Sequence, residues 1–361
     1  MRKIVLNFIG AIVFLILVFW IGFRGFNGQA YFAMHASPSL AYLSQPGSGE
    51  ARLMLTNLEG REEVLLEGVG SLLEMKVSTD GKWLALITEA RGNGQSVQLF
   101  SIKKGEVLHS YPCGSASCNA LFWQADSQIV YFHQAAHPEP GAREFQHRIY
   151  AMGVKDGQAT PLSFKEGIQP LSFSLSPDGR YQAVYDAGKR GYYILKDQDV
   201  ELLLILSEDP AAVIWQQHPT RLVVITSEQM VKIPVTHLIE VNLETLVRRY
   251  VLDPDTEHMD YSNLIYDERQ DTLIFGCRPV LRTLSRQICI AAQQDFVVEQ
   301  LTDLQSRNHT GIVLSPDGNW LAYQTLDLTA STSKPQVWLL DRQAGRSILL
   351  AENAAMPQWI P

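Results

Sequence analysis

The sequence predicts an all-β chain folded as a seven-bladed β-propeller of four-stranded blades, on three observations. The turn Ser-Pro-Asp-Gly occurs in full at Ser176-Pro-Asp-Gly179 and Ser315-Pro-Asp-Gly318, and in degenerate form at Ser78-Thr-Asp-Gly81. Each copy leads at once into a strand-like run: Trp83 to Thr88, Tyr181 to Tyr185 and Trp320 to Gln324. Pro presets the first central φ of a type I turn, Asp caps it, and Gly takes the left-handed position before the next strand. The second observation is a period. The residues ending the strand before each turn are Val77, Trp123, Leu175, Trp215, Tyr266, Leu314 and Trp359, spaced 40 to 52 residues apart. Four short strands per period of that length describe a propeller blade. The third is that the two ends of the repeat region complete each other.

Taken in chain order, the first unit supplies Leu40 to Ser44, Arg52 to Asn57 and Glu62 to Glu67 but lacks an innermost strand. The second runs through Val77 and Trp83 to Thr88, then Val97 to Ile102 and Val107 to Tyr111. The third, fifth and sixth keep the pattern without the full turn: Leu121-Phe-Trp123 then Ile129 to Phe132, Val213-Ile-Trp215 then Leu222 to Ile225, and Leu264-Ile-Tyr266 then Leu273 to Phe275. The fourth and seventh carry the complete motifs, the seventh adding Val337 to Leu340 and Arg346 to Leu350. The last residues, Met356-Pro-Gln-Trp-Ile-Pro361, read as the strand missing from the first unit. Pairing the two ends closes the ring and removes the exposed sheet edges that would otherwise template aggregation.

Ser176-Pro-Asp-Gly-Arg-Tyr-Gln-Ala-Val-Tyr185 and Ser315-Pro-Asp-Gly-Asn-Trp-Leu-Ala-Tyr323 resemble the repeat of the TolB-like, WD40-like (PD40-type) propeller families, and Pro357-Gln-Trp359 resembles the start of one more copy. The resemblance covers residues 37 to 361. It implies fold more than function, because the motif residues build turns rather than sites. Similar propellers serve as Tol-type envelope components and as sensor halves of membrane-bound regulators. Relatives that are peptidases carry an α/β-hydrolase domain beside the propeller, and seven blades use nearly all of these 361 residues.

Ahead of the repeats, Ile4 to Phe23 is a 20-residue apolar run broken only by Asn7, preceded by Arg2 and Lys3 and followed by Arg24. That length suits a bilayer-spanning helix better than the shorter core of a cleaved signal peptide. Residues 1 to 24 are therefore expected to be a signal-anchor and 25 to 36 a linker, with the basic N-terminus cytoplasmic and the propeller periplasmic or extracellular. Cleavage after Ala30 would give a secreted form. Beyond Arg24 the chain holds 27 basic against 38 acidic side chains, a formal −11, which disfavours phosphate-rich partners and excludes nucleic acid as an expected ligand. In an oxidising compartment the four cysteines read as two local disulfides, Cys113 with Cys118 and Cys277 with Cys289, the latter on opposite arms of a hairpin turning near Arg282 and Thr283. The alternative is two pairs of buried thiols.

Strand direction alternates within a blade, so the connections divide between two faces. Connections between first and second and between third and fourth strands are tight, as at Lys103-Lys-Gly105, Lys155-Asp-Gly157 and Gln343-Ala-Gly345. The opposite face collects residues 90 to 95, 112 to 119, 134 to 145, 253 to 261, 278 to 284 and 327 to 335. Long loops on a rigid scaffold are where binding resides, so this loop-rich face is the expected contact surface for a protein or peptide partner. His133, His137 and His147, with Glu139 or Glu144, invite a metal reading, but Pro138 and Pro140 oppose the helix that His-x3-His requires, so they read as solvated loop histidines. The acidic run Asp253 to Asp260 offers alternate carboxylates for calcium, yet lacks the Gly and Glu of an EF-hand loop. Asp80, Asp178 and Asp317 read as turn-formers, and Trp123, Trp215, Trp338 and Trp359 as inter-blade core rather than a sugar platform. There is no G-x-S-x-G, H-E-x-x-H or phosphate-loop motif, so no catalytic residue, cofactor or metal site is assigned. The expectation is a membrane-anchored binding, scaffold or sensor module. The alternatives are a hydrolase with a divalent metal in the central channel and a glycan-binding module.

Overall fold

The computed structural model describes residues 38–361 except 46–49, 91–93, 137–144, 198–199, 211, 217–219, 231–232, 253–258, 280–282 and 293–296. The expected signal-anchor and the cleavage point after Ala30 lie outside the described residues. Among the described residues no helix is long and apolar enough to cross a membrane.

Each blade is a four-stranded antiparallel sheet whose first strand lies innermost, and there are seven such sheets. The innermost strands are Ala354–Ile360 in blade 1, then Ser71–Val77, Ser117–Trp123, Pro170–Leu175, Val213–Trp215, Met259–Asp267 and Arg307–Leu314 in blades 2 to 7. Blade 1 closes the ring as the sequence predicts. Its C-terminal strand pairs with Ser39–Ser44, setting Leu40 opposite Trp359 and Ser39 opposite Ile360.

The second strands are the strand-like runs that follow the turns. Blades stack face to face, so these strands are covered on both sides and have no solvent face on which to alternate. Tyr181–Asp186 is buried throughout, and Trp83–Ala90 is buried from Leu84 to Thr88. The core therefore lies between blades. Ala85, Ile87, Val97 and Leu99 of blade 2 meet Leu121, Trp123, Val130 and Phe132 of blade 3. Burying one such aliphatic or aromatic side chain stabilises the fold by about 1.5–3 kcal/mol.

Three tryptophans act as latches between neighbouring innermost strands. Trp123 Nε1 donates to the Lys76 carbonyl at 3.0 Å, Trp359 Nε1 to the Val313 carbonyl at 3.2 Å, and Trp215 Nε1 to Ser174 Oγ at 2.9 Å. Each acceptor belongs to the residue just before the aligned strand end of the preceding blade. The inter-blade reading thus holds for these three. Trp338, partly buried on the third strand of blade 7, packs against the apolar cluster shared by blades 6 and 7, so the inter-blade reading holds there too, and its ring also lies beneath the Arg307 cation.

A backbone device also repeats. Ala120, Asn263, Gly311 and Met356 have φ of 58°, 51°, 59° and 56°, each three residues before the aligned strand end, and pairing with the second strand slips at each. These are left-handed bulges, which bend a strand and re-aim its side chains. In blade 3 the Leu121 N–H freed at the bulge donates to Glu74 Oε1 of blade 2 at 2.8 Å.

Candidate functional site

The Ser-Pro-Asp-Gly turns are wired alike. In the copy at Ser176, the Gly179 N–H donates to the Ser176 carbonyl at 2.8 Å and Ser176 Oγ to Asp178 Oδ1 at 2.6 Å. The Arg180 N–H donates to the same carboxylate oxygen at 3.1 Å. Asp80 and Asp317 repeat the pattern with Ser78 and Lys82 and with Ser315 and Asn319. Partial burial would raise these two carboxyls, but the hydrogen bonds prevail and hold both below the usual carboxylate range. Their oxygens are spent on the turn, as turn-formers require. The turns also couple blades: Thr79 Oγ1 donates to the Ala125 carbonyl, and the Asp80 N–H to Ser127 Oγ.

On the loop-rich face both disulfides are formed. Cys113–Cys118 has Cα atoms 6.3 Å apart and staples the fourth strand of blade 2 to the first strand of blade 3. The expected loop over residues 112 to 119 is shorter than its composition suggests, because strands run to Gly114 and restart at Ser117. Cys277–Cys289 joins the second and third strands of blade 6, Cα atoms 6.0 Å apart, across the expected hairpin.

Beside the first disulfide, Asn119, His133 and His147 form a hydrogen-bonded chain. Asn119 Oδ1 can only accept, so His133 Nδ1 donates to it at 2.9 Å. His133 Nε2 is then the acceptor for His147 Nδ1–H at 3.1 Å. The rings stack 5.2 Å apart. His133 is 4% exposed, which corrects the expectation of a solvated loop histidine: it sits on the second strand of blade 3 against its neighbours. Burial, then the adjacent His147, pushes its pKa down to about 4, and burial also lowers His147. His137, Glu139 and Glu144 lie outside the described residues.

Of the acidic run Asp253 to Asp260, only Asp260 among the carboxylates lies inside the described residues. Arg278 Nε donates to Asp260 Oδ2 at 2.7 Å and Arg286 Nη2 to the same oxygen, so two guanidiniums already satisfy that carboxylate. Among the described residues no three His, Cys, Asp or Glu side chains gather as a metal site.

Two concavities are lined wholly by described residues. One of 600 Å³ lies in the central channel toward the tight-turn face, walled by innermost strands and including Lys76, Thr79, Asn263, Tyr266, Gln358 and Trp359. The other, of 340 Å³, is a polar cleft over blade 7 on the loop-rich face. Its wall is the segment from Asp327 to Pro335, one of the long connections singled out from sequence. Asp327 folds that segment back on itself: its carboxylate accepts from the Thr329 N–H at 2.8 Å and hydroxyl at 2.6 Å, while its own N–H donates to Ser333 Oγ. Those hydrogen bonds hold the Asp327 carboxyl below its ordinary range.

Arg307 lines this cleft, with its guanidinium 5.1 Å from the Trp338 ring centre and Nη1 donating to Gln336 Oε1 and Thr325 Oγ1. Sequence reasoning passed over Arg307, since nothing local marks an arginine at the head of an innermost strand. It also missed His309, fully buried against Tyr323, whose Nδ1 donates to the Arg286 carbonyl at 2.8 Å while Nε2 has no partner.

The fold and its faces define a closed seven-bladed propeller with one plain and one elaborated face. Among solved structures it is TolB-like: TolB from Acinetobacter baumannii superimposes with a TM-score of 0.50 at 14% identity, covering 90% of this chain and 67% of that one. A prolyl endopeptidase matches at TM-score 0.63 and 17% identity over 88% of this chain, which spans half of that enzyme's length. The dihydro-haem d1 dehydrogenase NirN matches at 0.61 and 13%, over 88% of this chain and 74% of its own. At these identities the likeness is one of fold. No protein-family model and no curated protein matches the sequence.

Proposed function

We propose that the chain is a membrane-anchored, extracytoplasmic propeller that binds a protein or peptide partner of the cell envelope through its loop-rich face. One observation carries the reading: the tight face spends its recurrent aspartates on turn geometry, whereas the opposite face holds the long connections, both disulfides and the blade 7 cleft. The likeness to TolB supports an envelope role, and the disulfides support an oxidising compartment. The apolar segment from Ile4 to Phe23 supports the anchor.

The rival hydrolase reading needs metal ligands in the channel. The residues lining the channel cavity include no side-chain carboxylate or imidazole, so that reading draws no support from it. Elemental analysis of purified protein tests it directly.

The binding reading is tested by crosslinking and co-purification of the detergent-solubilised full chain, which should yield one stoichiometric partner. Charge reversal at exposed Lys189, on the loop-rich face, should weaken capture, while reversal at exposed Lys155, on the tight face, should not. Equal loss from both faces, or no partner at all, would overturn it.

A further inference from the structure

We infer that the cleft over blade 7 is a carboxylate-binding site, with Arg307 as the receptor cation and the free C-terminus of an extended peptide as its ligand. The inference deepens the binding-module reading and rests on it for the source of the peptide.

The guanidinium of Arg307 is positioned before any ligand arrives. Its face lies 5.1 Å from the Trp338 ring centre, and Nη1 donates to Gln336 Oε1 and Thr325 Oγ1. Gln336 in turn accepts from Trp338 Nε1 at 3.2 Å, so one amide oxygen fixes both the cation and the ring beneath it. All of these hydrogen-bond partners are neutral, and Asp327, opposite Arg307 in the strand pairing, feels its charge without forming a salt bridge to it. By contrast, the nearby Arg278 and Arg286 share the carboxylate of Asp260, and Arg342 is paired with buried Asp267. Arg307 alone among these four is held rigidly, lines a cleft, and has no carboxylate in salt-bridge contact among the described residues. A planar fork with unused N–H donors is suited to receive a carboxylate in two parallel hydrogen bonds.

The rest of the lining narrows the ligand. Lys334 adds a second cation, while Asp327 and Glu352 return two negative charges, which suits a monoanion and opposes a phosphate dianion. Gln336 and Asn353 add neutral donors and acceptors of the kind a peptide backbone needs. No aromatic ring lines the cleft, so the stacking surface that sugars favour is missing. Its 340 Å³ accommodates the last residues of a chain rather than a folded domain.

The test is calorimetric titration of the full chain with N-acetyl-Ala-Ala as its free acid, as its C-terminal amide, and with glucuronate as a non-peptide carboxylate. The acid should bind at least about tenfold more tightly than the amide and than glucuronate, and more weakly as salt rises. Arg307→Gln should abolish the preference, and Lys334→Gln, an exposed change, should weaken acid binding. Thermal melting establishes that each variant is folded; if Arg307→Gln is not, Arg307→Lys keeps the charge, loses the fork, and should still cut the preference. Equal binding of acid and amide, glucuronate binding as tightly as the peptide acid, no acid binding at low salt, or retained preference in a folded Arg307 variant would each overturn the inference. Failure of the two readings is distinguishable. A partner captured undiminished by Arg307→Gln leaves the binding module standing and removes this site, whereas acid-selective binding without any captured partner does the reverse.

Discussion

His133 makes a sharp prediction about pH, because it is almost fully enclosed and its neighbours hold it neutral. Its folded pKa, about 4, lies below the roughly 6.5 of an unfolded histidine, so the unfolded chain binds more protons between those values. Its contribution is therefore complete above the unfolded pKa and is lost as pH falls toward the folded one. Between pH 7.5 and pH 5 the linkage relation gives a loss of about 2 kcal/mol from this one group. Urea titration followed by tryptophan fluorescence at both pH values measures it. The informative comparison is with His133→Gln, whose amide can donate to Asn119 and accept from His147 without titrating. Other groups titrate equally in both proteins, so the variant should lose about 2 kcal/mol less than the parent over this window. If the two lose stability in parallel, the buried neutral imidazole is not what couples the fold to pH.

Three further outcomes follow from the ring. Gly81 and Gly179 occupy equivalent turns with φ of 68° and 73°, but a Cβ at Gly81 would stand 2.8 Å from the Pro361 carbonyl, whereas at Gly179 it meets nothing within 4 Å. Gly179→Ala should cost about 1–2 kcal/mol from the left-handed backbone, and Gly81→Ala clearly more, read as the shift in urea midpoint. Trp123→Phe leaves the Lys76 carbonyl without its indole donor and should cost about 1–3 kcal/mol, whereas Trp215→Phe should cost less, because the Ser174 hydroxyl can rotate to another partner. Replacing Cys277 and Cys289 by Ser opens a link of sequence separation 12 and should cost about 2–4 kcal/mol, with peptide mapping under non-reducing conditions verifying both bonds in the parent.

What could be read from sequence was what local chemistry determines. Pro, Asp and Gly at Ser176 and Ser315 encode a turn without reference to the rest of the chain, and the second strands announce themselves as apolar-rich runs directly after it. Ring closure was legible because blade 1 lacked a strand and the residues around Trp359 supplied one. The bulges were not, since Ala120, Asn263, Gly311 and Met356 share no side-chain property that would mark a positive φ. His133 was misjudged because its loop-like flanks say nothing of the neighbouring strands that cover it. Arg307, Trp338 and Gln336 come together only through the pairing of three strands, and their spacing in the chain carries no trace of that meeting. The cysteine pairs fell between these cases, legible because each bridge is local in sequence.

The pairing of Ser39 with Ile360 fixes where the chain enters the ring. The innermost strands end at the tight-turn face, so the second strand of blade 1 begins there, and residue 38 stands on the plain side of the disc. On the proposed reading, the linker over residues 25 to 36 ties that side to the bilayer with a reach of at most roughly 40 Å. On that reading the plain face would stand nearer the attachment point and the elaborated face would be free to turn from the lipid. The entry point of the chain and the blade 7 cleft thus lie on opposite faces of the disc, so a tether at residue 38 would leave the cleft unobstructed.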